Sequence, residues 1–216
     1  MLPKAAVPLI THDLVDETMQ YLVQGAITAT IGQDPFAQGH DSVIHIFNHL
    51  VAGWNPPTPR LLTVADVITS KNYQQFWQTG LGVIESAEVA KRRARPMQSS
   101  PRPLRIAVLG REESRFWDPV HAGVLAAAKE LRIHHATVEW ILPEGGKVPP
   151  NLTARASAIE KLIKDGYNAI VTDIFDSGMI PYLNRAIAAG IPVATFNSEP
   201  SSLRGLIEVL AQRTRQ

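Results

Sequence analysis

Four residues have types and positions suited to holding a small polyhydroxylated molecule: Phe116, Trp117, Asp176 and Asn197. Such a molecule presents flat C–H faces and a rim of hydroxyls, so its recognition needs aromatic plates and groups that make paired hydrogen bonds. Phe116-Trp117 follows the apolar run Ile106–Leu109, Asp176 follows Ala169–Val171, and Asn197 follows Ile191–Thr195. If each run is a strand of one parallel sheet, the loops after them share an edge and the four residues line one cleft. Each also has a plainer role. The aromatics can pack the core, Asp176 can cap a helix beginning at Gly178, and Asn197, beside Ser198 and Glu199, can serve a turn.

Other constellations carry less. Glu144-Gly-Gly-Lys147 is half of a phosphate loop, but the full spacing is missing and Val148 stands where a hydroxyl residue belongs. Gly110 alone is no dinucleotide fingerprint. His45 and His49 have a helical metal-ligand spacing without a neighbouring glutamate to act as a base. His134-His135 reads as a solvated turn. Neither a Ser-x-Gly elbow nor a paired-carboxylate set points to hydrolysis. No metal and no cofactor is expected.

The elements that position these residues follow from apolar periodicity. Residues 5–10 read as a buried strand, 14–24 as a helix stopped by Gly25, and 26–31 as a strand. After the turn Gly32–Pro35, a helical stripe runs through Phe36, Val43, Phe47, Leu50 and Val51 to Gly53. A proline-rich loop precedes a strand over 60–69 and a short helical end at Asn72–Gln78. The basic, Pro/Ser-rich stretch 82–103 reads as a solvated linker. Beyond it come strands at Ile106–Leu109, Thr137–Leu142, Ala169–Val171 and Ile191–Thr195. Helices at Pro119–Leu131, 151–164 (capped by Asn151), Gly178–Ala189 and Ser201–Gln212 alternate with them. This alternation predicts an α/β fold with a doubly wound, Rossmann-like parallel sheet covered on both faces.

The 216 residues allow one or two domains with a real core. A formal charge of +1 gives no reason for the whole molecule to approach nucleic acid or anionic lipid. The absence of cysteine excludes thiol chemistry and disulfides. No apolar run is long enough for a membrane helix, and Met1–Pro8 does not read as a signal peptide.

Two stretches resemble one family, the type I periplasmic binding proteins of ribose and galactose type, whose lobe lac-repressor-like regulators share. Phe116-Trp117 six residues before Gly123, the entry Asp165-Gly-Tyr-Asn-Ala-Ile-Val-Thr, Asp173-Ile-Phe-Asp176 and Gly190-Ile-Pro-Val-Ala-Thr-Phe-Asn-Ser198 match the first lobe. Thr11-His-Asp13, Gly32-Gln-Asp-Pro-Phe-Ala-Gln-Gly39 and Leu61–Asn72 resemble the closing third. The resemblance implies that Asp13 and Gln33 are ligands from the opposing lobe. It also divides the chain into a closing segment (1–81), a linker (82–103) and an opening lobe (104–216). That order is reversed relative to the family, as in a window cut from a tandem protein or a circular permutation. Arg111, Glu112, Glu113 and Arg115 crowd a loop where the family has small polar residues, which points away from an ordinary neutral pentose.

The function these features imply is non-catalytic binding of a small sugar-like ligand between lobes, with hinge closure. The output would be delivery to an importer permease or control of a fused DNA-binding domain outside this chain. The location follows the output, periplasmic for transport and cytoplasmic for regulation. A homo-oligomer is expected, without direct nucleic-acid or membrane contact. The alternatives are a Rossmann-like enzyme and an assembly module that has lost its ligand.

Overall fold

The computed structural model describes residues 7–58, 60–143, 151–197 and 207–210. In chain order these form β1 (Ile10–His12), α1 (Asp16–Val23), β2 (Ala29–Gly32), α2 (Pro35–Ala52), β3 (Arg60–Leu62) and β4 (Asp66–Ile68). A hairpin of β5 (Trp77–Gln78) and β6 (Gly82–Val83) and the single turn α3 (Ala87–Ala90) come next. Then follow β7 (Leu104–Leu109), α4 (Asp118–Leu131), β8 (Ala136–Ile141), α5 (Leu152–Lys164), β9 (Ala169–Thr172), α6 (Ile180–Ala188), β10 (Val193–Phe196) and β11 (Ile207–Leu210). The elements fall into two compact units that interleave along the chain. Among the described residues the smaller unit draws on the chain up to Asp34 and on Val64–Arg93, the larger on Pro35–Thr63 and Ala94 onward. The division read from the sequence ran in consecutive pieces and left residues 35–63 with the first of them.

The larger unit is built on a six-stranded sheet in the order β3-β11-β10-β9-β7-β8, with every pairing parallel. Along β7 the side chains alternate between two cores. Ile106 and Val108 face α2 and α4, while Ala107 and Leu109 face α5 and α6. Both faces are therefore covered, as apolar strands with no polar side require. The order β8-β7-β9-β10-β11 places the change of winding direction between β7 and β9. The expected helix at Ser201–Gln212 is a strand at Ile207–Leu210, inserted between β10 and β3; the rest of that helix lies outside the described residues.

Helix α2 belongs to this unit and packs beside α4. Glycines on both helices permit the approach. A methyl group added at Gly39 would overlap the carbonyl of Val120, and one added at Gly123 would overlap the carbonyl of Phe36. Val43 and Phe47 of the predicted stripe are fully buried against the sheet. Polar residues on α2 are buried too, and each finds a partner. Asn48 accepts from the Met97 amide (2.9 Å) and donates to the Arg95 carbonyl (2.9 Å). Asp41 accepts from the Ala94 amide (3.0 Å), and His40 lies between Asp41 (2.7 Å) and Glu130 (3.2 Å).

These bonds correct the reading of 82–103 as a solvated tether. Residues 94–97 are laced along α2. Ser100 is buried, its amide donates to the His134 carbonyl (3.1 Å), and its own carbonyl meets His135 Nδ1 (2.9 Å). In the smaller unit Arg93 is buried, paired bidentately with Asp34 (2.7 and 3.0 Å) and bonded through Nε to Glu85. Lys91 and Arg95 are exposed as the composition suggests, but Arg93 is not, because Asp34 meets it from 59 residues away.

The smaller unit has the sheet order β1-β2-β4, with β1 parallel and β4 antiparallel to β2. Met19, Leu22, Ile27, Ile68 and Trp77 form its core, and the Trp77 indole donates to Asp16 (2.8 Å). Two strand readings shift here. The strand expected at 5–10 begins at Ile10, where Leu9 and Ile10 are exposed; residues 5 and 6 lie outside the described residues. The run 60–69 is two strands, since β3 pairs with β11 in the larger unit and β4 with β2 in the smaller.

Gly123→Ala and Gly39→Ala should each lower stability by about 1–3 kcal/mol, the range for forcing extra volume into a packed contact. The check is a lower denaturant midpoint with an unchanged slope. His45 gives a pH test. Its ring stacks on Trp54 (4.5 Å between centroids), and burial pushes its pKa below the ordinary 6.5, with Asp41 opposing that shift and His40 adding to it. The unfolded chain therefore binds the proton more tightly, so stability is fully present above pH 6.5 and falls as the pH drops through 6.5 toward the folded value. His45→Phe keeps a ring against Trp54 and should lose less stability than wild type between about pH 7.5 and about pH 5.5, measured as urea midpoints.

Candidate functional site

The carboxyl ends of β7, β9 and β10 form one edge of the parallel sheet, and the sequence-predicted residues of the larger unit all leave from it. After β7 the chain passes Gly110, where a side chain would meet the Trp140 indole, and turns at Ser114, whose carbonyl accepts from the Trp117 and Asp118 amides (both 2.9 Å). That turn places Phe116 and Trp117 at the start of α4. Trp117 is only 4% exposed; its ring meets Phe116 (4.9 Å) and Phe196 (6.2 Å) edge to face, and its indole N–H donates to Glu112 (3.1 Å). Phe116 is half-buried against the same cluster. The two aromatics are thus not equivalent plates: Trp117 packs the core and Phe116 lies over it.

Asp176 is exposed on the loop after β9, and its Oδ1 accepts from the Gly178 amide (2.7 Å), capping the 3-10 turn Ser177–Met179 that leads into α6. Asn197 has a left-handed backbone (φ 66°), and its side-chain amide donates to Gln38 of α2 (3.2 Å). Ser198, Glu199 and the loop Glu144–Lys147 lie outside the described residues.

Behind this edge lies a charge cluster whose buried cation, Arg155, the sequence reading did not single out. Asp173, one residue past β9, is fully buried, and no hydrogen-bond donor among the described residues reaches either carboxylate oxygen. Arg155 of α5 and Arg111 of the first loop each hold a guanidinium nitrogen 3.7 Å from it. Arg155 is also buried, and it donates to the Leu109 carbonyl (3.0 Å) and to Thr172 Oγ1 (3.3 Å), joining the ends of β7 and β9. Burial pushes the Asp173 carboxyl above the usual carboxylate range, against the pull of the two arginines. Burial likewise lowers the Arg155 pKa, against the pull of Asp173. A signal for both was present. Arg155, Ile159 and Leu162 share a helical face, so a cation stands in an apolar stripe, and Asp173 directly ends an apolar strand.

In the smaller unit the ends of β1 and β2 bring Asp13 and Gln33 together. Gln33 Nε2 donates to Asp13 Oδ1 (2.5 Å), and His12 Nδ1 stands 3.1 Å from the same oxygen. Asp13 has φ 69°, and the Thr30 hydroxyl bonds its carbonyl (2.8 Å). His45 and His49 of the larger unit turn to Trp54 instead of to a shared point, one by stacking and the other through the Trp54 carbonyl (3.0 Å).

Residues 106–209 match the model of a family described as the periplasmic binding protein domain. They form a domain of the type I periplasmic-binding-protein-like family. No curated protein matches the chain. In this binding domain the match begins inside β7 and ends inside β11, so it spans the carboxyl edge that carries Phe116, Asp173, Asp176 and Asn197. Ligand binding without catalysis is the typical activity of such domains. The edge itself depends on Arg155. Arg155→Leu leaves the Leu109 carbonyl without this donor and Asp173 with one cation fewer, and should cost about 3–5 kcal/mol, the range for breaking a buried ion pair. Chemical denaturation of the full chain measures it.

Proposed function

We propose that the larger unit binds a small sugar-like ligand reversibly at the carboxyl edge of its sheet, without chemistry. The observation that supports this most is the convergence of three loops on one edge beside the switch in winding direction. One loop brings a half-exposed aromatic, one an exposed carboxylate and one an amide. Phe116 would lie against the C–H face of the ligand. Asp176 would accept from its hydroxyls while keeping one oxygen on its own turn, and Asn197, held by Gln38, would present a fixed amide. Asp13 and Gln33 of the smaller unit are proposed as ligand-binding residues in their own right, a carboxylate beside an amide. Delivery to an importer permease or control of a DNA-binding domain, and a two-fold homodimer, belong to the same proposal. So does a permuted order of the family's segments, which α2 and β3 support by completing the sheet layers of residues 104–210.

Asp176→Asn separates the two roles of this residue, because an amide oxygen can still accept from the Gly178 amide. Calorimetry with a panel of neutral and acidic sugars should show affinity reduced roughly 10- to 150-fold in the variant, the loss of one charge-assisted bond. The thermal midpoint should stay nearly unchanged. Equal affinities in both proteins would remove Asp176 from the site. Lys147→Ala serves as the control, and a loss there would reopen the phosphate-loop reading.

A further inference from the structure

The loop after β7 holds a guanidinium that a neutral polyol does not require. Arg111 lies at the switch between β7 and β9, 5.8 Å from the centroid of the Trp117 ring and 5.8 Å from that of Phe175. Two aromatic rings therefore flank it and limit its rotamers. Its nearest carboxylates stand at ion-pair separations, Glu112 at 3.4 Å from Nε and Asp173 at 3.7 Å from NH1, and Nε makes no hydrogen bond among the described residues. The two arginines differ in role. Arg155 spends its donors on the strand ends, whereas the Arg111 side chain is 32% exposed and forms ion pairs but no hydrogen bond among the described residues.

Both carboxylates beside Arg111 also face other partners. Glu112 is drawn toward the Trp117 indole, and Asp173 shares its charge with Arg155. Burial also favours the neutral form of Asp173, which lessens the repulsion an incoming anion would meet. A planar guanidinium held in place with free donors matches a carboxylate or a phosphate bidentately, and this geometry is why arginine serves such groups.

We propose that the ligand of this domain carries an anionic group, a carboxylate or a phosphate, and that Arg111 holds it. The inference rests on the sugar-binding reading of the same edge and narrows the ligand to acidic sugars. Asp176 and Asn197 then serve the hydroxyls, and Arg111 sets the charge that is accepted.

The test is calorimetry on the full chain with matched probes: neutral aldoses, their aldonic and uronic acids, and their monophosphates. Acidic members should bind at least about 10-fold more tightly than their neutral parents, as one charge-assisted bond predicts. Whether the acids or the monophosphates lead tells carboxylate from phosphate. Arg111→Gln should bring the preferred acid down roughly 10- to 150-fold, with circular dichroism confirming the fold. Arg111→Lys keeps the charge without the fork, and should recover only part of the loss. It also stands in if the glutamine variant does not fold. Neutral sugars binding as tightly as their acids, or an acid preference that survives Arg111→Gln, would overturn the role of Arg111 and leave the binding reading standing. Binding of none of the probes would overturn the binding reading, and this inference with it.

Discussion

The fit of α2 against α4 is the contact on which the larger unit depends. Two glycines, Gly39 and Gly123, each accept the backbone carbonyl of the opposite helix into the space a side chain would fill. Such an approach sets the spacing between helices by backbone and not by side-chain volume. It lets Val43, Ile44 and Phe47 reach the sheet, and it brings Gln38 to Asn197. The crossing thereby serves stability and site geometry at once. It also explains the buried polar residues of α2. A helix pressed this closely against its neighbours has little solvated face, so Ser42, Asn48 and His40 must find partners inside.

The opposite face of the sheet is fixed by charge. Arg155 touches the end of β7, the end of β9 and Asp173 together. Burying a guanidinium and a carboxylate costs free energy that an apolar pair would not, so the cluster adds little to net stability. What it contributes is position. Leu109 and Thr172 are held in register at the point where the loops diverge, and Arg111 stands in front of a fixed field. In type I binding domains this is the edge at which a ligand is expected, and here the electrostatics there are decided from behind the sheet.

Much of the larger unit was legible because its strands are short, apolar and separated by helices with clear stops. Asn151 caps α5 as read, and Gly166 and Gly190 take left-handed backbone where helices end. The failures have a common cause in contacts distant along the chain. Ile207–Leu210 is too short a run to show strand alternation, yet the slot between β10 and β3 demands a strand there. The run 60–69 looks continuous because nothing in its composition marks the hand-over from one sheet to another. Arg93 looked solvated because Asp34 lies 59 residues away. For the site, the strands read from the sequence put the loops of Asp176 and Asn197 on one edge, and residue type alone did not settle what each side chain does there. It could not tell that Trp117 is core and Phe116 is not, since adjacent aromatics differ only in the direction each ring takes.

The described chain passes between its two units three times, after Asp34, after Thr63 and after Arg93. Neither unit is therefore a continuous stretch that can be excised. A single nick at any of these points leaves at least one unit divided between two fragments. After a nick following Thr63, each fragment carries a share of both units, so each of the two units is built from both fragments. The polypeptide is in this sense woven, and the customary practice of trimming a protein to its binding lobe would here cut through the lobe itself.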